Sequence, residues 1–265
     1  MTDSNYNEEV VLFQLEDSIG WITLNRPEVL NALSLEVLEK LSFIFDDVKV
    51  NQDVKAVVIT GAGEKAFSAG ANIQYLNHAS PLEVQTYSRL AVTVTNKIEN
   101  LGKVVIAAIN GYALGGGLEI AEACMLRIAV SDAQLGHPEV RIGAVAGFGG
   151  TTRLPRLIGK GRATELLLTG NLISAQEAQQ LGLVNRVVEA DQLMKETKSL
   201  LDDILTRAPV AVGLTWEALH RGLNMTLEES AMLGADYFGL VASTEDFREG
   251  TRAFLEKATP KFLGK

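Results

Sequence analysis

The stretch Leu114-Gly115-Gly116-Gly117-Leu118-Glu119 lies where an apolar, β-branched run gives way to helical spacing. Glycine lets a backbone approach a ligand closely, and the first turn of a helix carries N–H groups without intrahelical acceptors. Such N–H groups stabilise negative charge developing on a carbonyl oxygen. Equally, three glycines can form a tight structural turn. Other segments offer less. Gly61-Ala62-Gly63-Glu64-Lys65-Ala66 fits the letters G-x-G-x-x-A of a dinucleotide fingerprint. The chain then continues through Phe67-Ser68-Ala69-Gly70 as loop rather than opening a helix, and no acidic residue ends the next strand, so a turn is the better reading. Ala66-Phe67-Ser68-Ala69-Gly70 is close to a G-x-S-x-G nucleophile elbow, but alanine stands at the first glycine and no suitable Asp and His follow. His78, His137 and His220 are isolated in sequence, and His137-Pro138-Glu139 lacks a second His or Cys beside it, so no metal site is expected. Cys124, the single cysteine, reads as a small hydrophobe on the apolar side of a helix.

The elements that position these residues follow from periodicity. Val10–Glu16 and Gly20–Asn25, parted by Asp17-Ser18, predict a β-hairpin. From Ser34, an N-cap, the apolar residues Leu35, Leu38, Leu41, Ile44, Phe45 and Val48 recur at helical steps. Lys55–Thr60 and Lys103–Asn110 are short buried strands, each leading into a glycine-rich turn, and Pro81 to Asn100 between them has helical spacing. Strand, helix, strand implies a crossover that brings the two glycine-rich turns together. Leu118 to Cys124 then predicts a short helix and Leu126–Val130 a strand, with mostly helix from Thr151 onward. Strand signal gives out after about Asn185, which predicts an α/β core over residues 1–190 and a helical segment over 191–265.

Composition bounds the partners. A chain of 265 residues with 47% hydrophobic and 22% charged positions can bury a core without metal or disulfide support. A net charge of −9 argues against nucleic acid and anionic membrane surfaces as partners. The start MTDSNYNEEVVLF has neither the features of a signal peptide nor those of a transit peptide. The longest mainly apolar stretch, Val104 to Leu118, is shorter than the roughly 20 residues of a membrane span. A cytoplasmic protein is expected.

Three blocks together resemble the crotonase (enoyl-CoA hydratase/isomerase) superfamily: Phe67-Ser68-Ala69-Gly70-Ala71-Asn72-Ile73, Ile109 through Glu119, and Gly136-His137-Pro138-Glu139-Val140-Arg141-Ile142-Gly143. Leu24-Asn25-Arg26-Pro27, Gly149-Gly150-Thr151-Thr152-Arg153-Leu154-Pro155 and Arg248-Glu249-Gly250 are similar to further stretches of that family, in the same order along nearly the whole chain.

The resemblance implies a spiral of ββα units and a helical C-terminal part that assembles trimers, commonly paired as hexamers. It implies an acyl-CoA thioester as substrate, with no separate cofactor. It places the oxyanion-hole N–H groups on Ala69 and Gly116, the acid and base on Glu119 and Glu139, and further substrate contacts on Gly70, Ala71, Asn72 and Ile73, with Phe254 and Lys257 reaching CoA held by a neighbouring subunit. Having both glutamates points to hydration of a trans-2-enoyl-CoA. Water attacks C3, charge moves onto the thioester oxygen, one carboxylate accepts water's proton and another group protonates C2. Losing one oxyanion donor costs about 3–4 kcal/mol. The resemblance suggests that Glu119 activates water and Glu139 protonates C2, and a helix N-terminus beside Glu119 favours its charged form. Glu122, three residues on, reads as a surface glutamate. Alternatives are a Δ3,Δ2-enoyl-CoA isomerase, a hydratase of a branched or cyclic acyl-CoA, and a noncatalytic scaffold or RNA-binding relative. Departures from the family pattern are Asn72 for an aspartate, Glu28 at an often basic position, and His137 with Ala144-Val145-Ala146-Gly147 among residues lining the acyl pocket.

Overall fold

Asp17 and Ser18 join the first two strands with φ of 50° and 64°, the left-handed pair that matches the twist of a two-residue hairpin. A computed structural model describes residues 9–265; residues 1–8, the start of the stretch read above for targeting features, lie outside them. Strand β1 (Val11–Glu16) pairs antiparallel with β2 (Ile19–Leu24). Helix α1 (Leu35–Val50) starts where the Ser34 hydroxyl accepts the Val37 N–H, and buries the apolar stripe from Val37 to Val48.

From there a repeated unit builds the core. Strands β3 (Ala56–Gly61) and β4 (Ala66–Ser68) precede helices α2 (Ile73–His78) and α3 (Pro81–Glu99), the latter opened by a Ser80/Glu83 capping box. Strands β5 (Val104–Ile109) and β6 (Tyr112–Leu114) precede α4 (Gly116–Ala123). Strands β7 (Leu126–Val130) and β8 (Gln134–Gly136) precede a 3-10 turn (Pro138–Ile142) and helix α5 (Gly150–Ile158). The longer strand of each pair joins one sheet, ordered β1-β2-β3-β5-β7-β10, where β10 is Arg186–Val188, and the short one joins another, ordered β4-β6-β8-β9, where β9 is Leu172–Ser174. Two strands in two sheets followed by helix, repeated along the chain, is a ββα spiral. The pairings β2–β3, β3–β5, β5–β7 and β7–β10 are parallel, and β5 is buried throughout, as expected of a strand covered on both faces.

Helices α6 (Lys160–Thr169) and α7 (Ala175–Gln180) flank β9 (Leu172–Ser174), and β10 (Arg186–Val188) completes the larger sheet. Strands β4, β6, β8, β9 and β10 are each three residues long, too short for a period-2 pattern to register. The loop expected at Phe67-Ser68 is accordingly strand β4.

The chain divides into two compact units, one ending at Thr197 and one spanning Lys198–Lys265, with the division inside α8 (Leu193–Leu205). The second unit contains α9 (Pro209–Gly222), α10 (Leu227–Val241) and α11 (Glu245–Glu256). Helices α9 and α10 pack on each other and neither contains a fully buried residue. Asp246 secures the end of the chain by accepting the N–H groups of Leu263 and Gly264 at 2.6 and 2.8 Å. Among the described residues no helix is long and apolar enough to cross a membrane.

Candidate active site

The crossover does bring the glycine-rich turns together. A side chain at Gly117 would place its Cβ 2.3 Å from the Ser68 carbonyl oxygen, and one at Gly70, whose φ is +96°, would meet the Leu114 carbonyl oxygen at 2.7 Å and the Gly116 nitrogen at 3.2 Å. Only glycine permits this approach of two backbones. Asn31, itself left-handed at φ 55°, braces the turn after β4. Its Nδ2 donates to the carbonyls of Ala62 and Ala66, and its own carbonyl accepts the Ser68 hydroxyl at 2.9 Å. The Ser68 hydroxyl also accepts the Gly70 N–H at 3.2 Å. Ser68 is thus a structural residue of the turn, in keeping with the weak elbow signal.

The backbone donors differ from expectation at one position. The Ala69 N–H donates to the Leu30 carbonyl at 2.9 Å, so it is occupied within the fold. Two residues on, Ala71 bridges in parallel to Leu33 through its neighbours: Leu33 N–H donates to Gly70 O at 2.8 Å and Asn72 N–H to Leu33 O at 3.1 Å. Strand alternation then turns the Ala71 N–H away from Leu33. Among the described residues no acceptor meets the N–H of Ala71 or of Gly116, the first residue of α4. The open pair is Ala71 and Gly116, and the resemblance placed the first donor two residues early. Asn72 caps α2, its Oδ1 accepting the Tyr75 N–H at 3.2 Å, and Ile73 begins that helix and is exposed.

Glu119 projects from the first turn of α4 and is only 1% exposed. Its Oε1 accepts the N–H groups of Phe148 at 2.8 Å and Gly150 at 2.6 Å. Burial raises its pKa to about 7, although the Gly150 hydrogen bond and the His137 charge oppose the rise. A helix terminus contributes roughly 0.3–1 kcal/mol, too little against such desolvation, so the charged form is not favoured as the sequence suggested. Phe148 is clamped by the Thr95 hydroxyl and Arg153, both donating to its carbonyl, while Arg153 is held by Glu99 at 2.8 Å. The Phe148 ring lies edge-on to Tyr87 and close against Gly116.

Glu139, in the 3-10 turn after β8, packs its Oε1 against Gly115, where a Cβ would lie 2.9 Å away, while its buried Oε2 has no hydrogen-bond partner among the described residues. Gly150 is wedged between Glu119 and His137: its Cβ would lie 3.0 Å from Glu119 Oε1 and 2.8 Å from His137 Cε1. Neither Glu122 nor His137 is where sequence placed it. Glu122 is buried, not at the surface, because one turn of α4 beyond Glu119 it shares the covered face, and His137 is a buried ring rather than a pocket-lining residue. His137 Nε2 lies 2.8 Å from Glu122 Oε1 and its Nδ1 lies 3.6 Å from Glu139 Oε1. Burial disfavours the charged ring, but the Glu122 carboxylate and then Glu139 overcome it and lift the His137 pKa to about 10.

The remaining expected contacts lie in the second unit. Phe254 is exposed on α11, and Lys257 ends that helix in the left-handed conformation at φ 55°. His220 stacks on Trp216, and the Cys124 thiol is buried, its pKa pushed up to about 12. Among the described residues no group of three or more His, Cys, Asp or Glu side chains could hold a metal ion. The clamp residues Asn31, Phe148 and Arg153 carry no chemical signature of their own in sequence. Of these, only Arg153 lies in a stretch that the family resemblance covers, Gly149-Gly150-Thr151-Thr152-Arg153-Leu154-Pro155.

The sequence model of the Enoyl-CoA hydratase/isomerase family matches residues 14–265. This chain belongs to that family. It is 42% identical over 247 residues to the short-chain-enoyl-CoA hydratase of Clostridium acetobutylicum, covering 93% of this chain and 95% of the relative. The crotonyl-CoA hydratase of Syntrophomonas wolfei is 40% identical over 257 residues, 97% of this chain and 99% of that one. Among solved structures, an enoyl-CoA hydratase from Bacillus anthracis superposes with a TM-score of 0.93 at 39% identity, covering 97% of this chain and all of the other. Family and neighbours agree with the ββα spiral described above.

Proposed function

We propose that this member of the family is an enoyl-CoA hydratase that adds water reversibly across the 2,3 double bond of a short trans-2-enoyl-CoA to give the 3-hydroxyacyl-CoA. The observation that carries the reading is the juxtaposition of two open backbone N–H groups, Ala71 and Gly116, with two carboxyls, Glu119 and Glu139. The relatives named for short-chain and crotonyl substrates support the class.

In this reading the thioester oxygen accepts both N–H groups, which gather the enolate charge as water reaches C3. Water alone is a poor nucleophile, so an ionised carboxylate takes its proton while a protonated one supplies C2. Two close carboxyls resist ionising together, and a Glu119 that holds its proton to about pH 7 lets the pair share one proton at neutral pH. The Glu139 Oε2, buried with no hydrogen-bond partner among the described residues, is the carboxyl oxygen left to engage the attacking water. Gly70, Ala71, Asn72 and Ile73 line the approach to the hole on one side, and Phe254 and Lys257 are proposed to contact CoA bound by a neighbouring subunit.

Assembly as trimers, or trimers paired as hexamers, is supported by the apolar side chains left exposed on the second unit's helices, among them Leu219, Leu227, Phe238 and Phe254. A cytoplasmic location is supported by the single buried, unpaired cysteine. The reading is tested by substrate: the protein should hydrate crotonyl-CoA and leave 3-enoyl thioesters unisomerised. The reverse preference would assign the isomerase branch of the family.

A further inference from the structure

We propose that Glu122 and His137 form a buried pair behind Glu139, with His137 acting as a positioning residue that holds the Glu139 carboxyl in place. The inference rests on the hydratase reading, in which Glu139 takes part in the reaction.

The geometry is specific. His137 is 1% exposed, and the Glu122 side chain opposite its Nε2 is fully buried. An imidazole whose Nε2 lies 2.8 Å from a carboxylate oxygen donates N–H there, which orients the ring and directs Nδ1 at Glu139. Glu139 Oε1, 3.6 Å from Nδ1, is further confined by Gly115, while Oε2 is buried with no hydrogen-bond partner among the described residues. Burying the Glu122 carboxylate is costly unless it is paired, and the His137 ring supplies the side-chain partner of its Oε1.

Among the described residues, the charged groups that act on the ring are Glu119 and Glu122 from helix α4 and Glu139 from the 3-10 turn, while α5 packs Gly150 against it. Arg127, buried just past α4, interacts with Glu122, and its guanidinium donates to the carbonyls of Leu183, Ala121 and Cys124. With carboxylates on two sides, the ring is held as imidazolium. An imidazolium facing Oε1 at 3.6 Å attracts that carboxylate oxygen and so restrains the rotation of the Glu139 carboxyl.

Two measurements test this. In the wild-type protein, 15N NMR of His137 should show a ring that stays doubly protonated across pH 6–9. A ring titrating near 6.5 overturns the proposal, whatever the variants do. His137→Gln should keep KM for crotonyl-CoA within about twofold while kcat falls about tenfold or more, because the Glu139 carboxyl loses the charge that orients it. Glu122→Gln should let the ring titrate below pH 8 and reproduce part of that loss. A kcat that stays within about twofold of wild type in His137→Gln, with only stability reduced, overturns the proposal in favour of a structural pair. Failure of the wild-type protein to hydrate crotonyl-CoA would instead count against the hydratase reading, and the ring titration would still decide the proposal.

Discussion

Replacing Glu119 by glutamine should make the protein less active and, above neutral pH, more stable. In the folded chain Glu119 keeps its proton to about pH 7, against 4.5 for an ordinary glutamate, because burial penalises the carboxylate. Between those values the folded state binds more protons than the unfolded one, so stability falls as pH rises through this window. At about 1.4 kcal/mol per pH unit the loss between pH 5 and pH 8 is about 2–3 kcal/mol. Glutamine keeps an amide oxygen for the Phe148 and Gly150 N–H groups yet carries no charge to desolvate. Urea unfolding of both proteins at pH 5, 6, 7 and 8 should therefore show the variant gaining on the wild type by about that amount, while turnover falls at least about 10²-fold. A stability difference that does not change with pH would refute the assignment of Glu119 as a carboxyl whose ionisation is opposed by its site.

Further outcomes follow from the same geometry. Glu139→Gln should bind acyl-CoA normally and lose at least about 10²-fold in kcat, read by steady-state kinetics beside a binding titration. Deleting the Ala71 N–H, by placing lactic acid at position 71, should cost about 3–4 kcal/mol in kcat/KM, whereas the same change at position 69 should lower stability and act little on chemistry, since the Ala69 N–H bonds to Leu30. His137 contributes stability that is fully present below pH 6.5 and lost as pH rises towards about 10, so the alkaline decline of wild-type stability should flatten in His137→Gln. Sedimentation should give a mass of three or six times 28.6 kDa, and Lys257→Ala should leave that mass unchanged while raising KM for CoA esters.

Much of this site was legible in residue types. Asp17-Ser18 marked the hairpin, Ser34 and the stripe to Val48 marked α1, and the matched apolar runs before Gly61 and Gly111 announced the crossover that joins the two turns. Length and period were enough there. The second sheet was invisible because its strands are three residues long, and it is these short strands that carry Ser68 and Leu114 to the site. The choice between Ala69 and Ala71 depended on which way each N–H points, a matter of alternation along an isolated bridge that composition does not encode. Glu122 looked like a surface residue because its partner, His137, is 15 positions away and joined to it only through folding.

The most direct measurement of the central claim is incubation of the purified protein with crotonyl-CoA, following enoyl-thioester absorbance and identifying the product by mass spectrometry. Rapid loss of absorbance with formation of 3-hydroxybutyryl-CoA, abolished together by Glu119→Gln and by Glu139→Gln, is the predicted result. Undiminished absorbance, or hydration that survives either substitution at the wild-type rate, would contradict it.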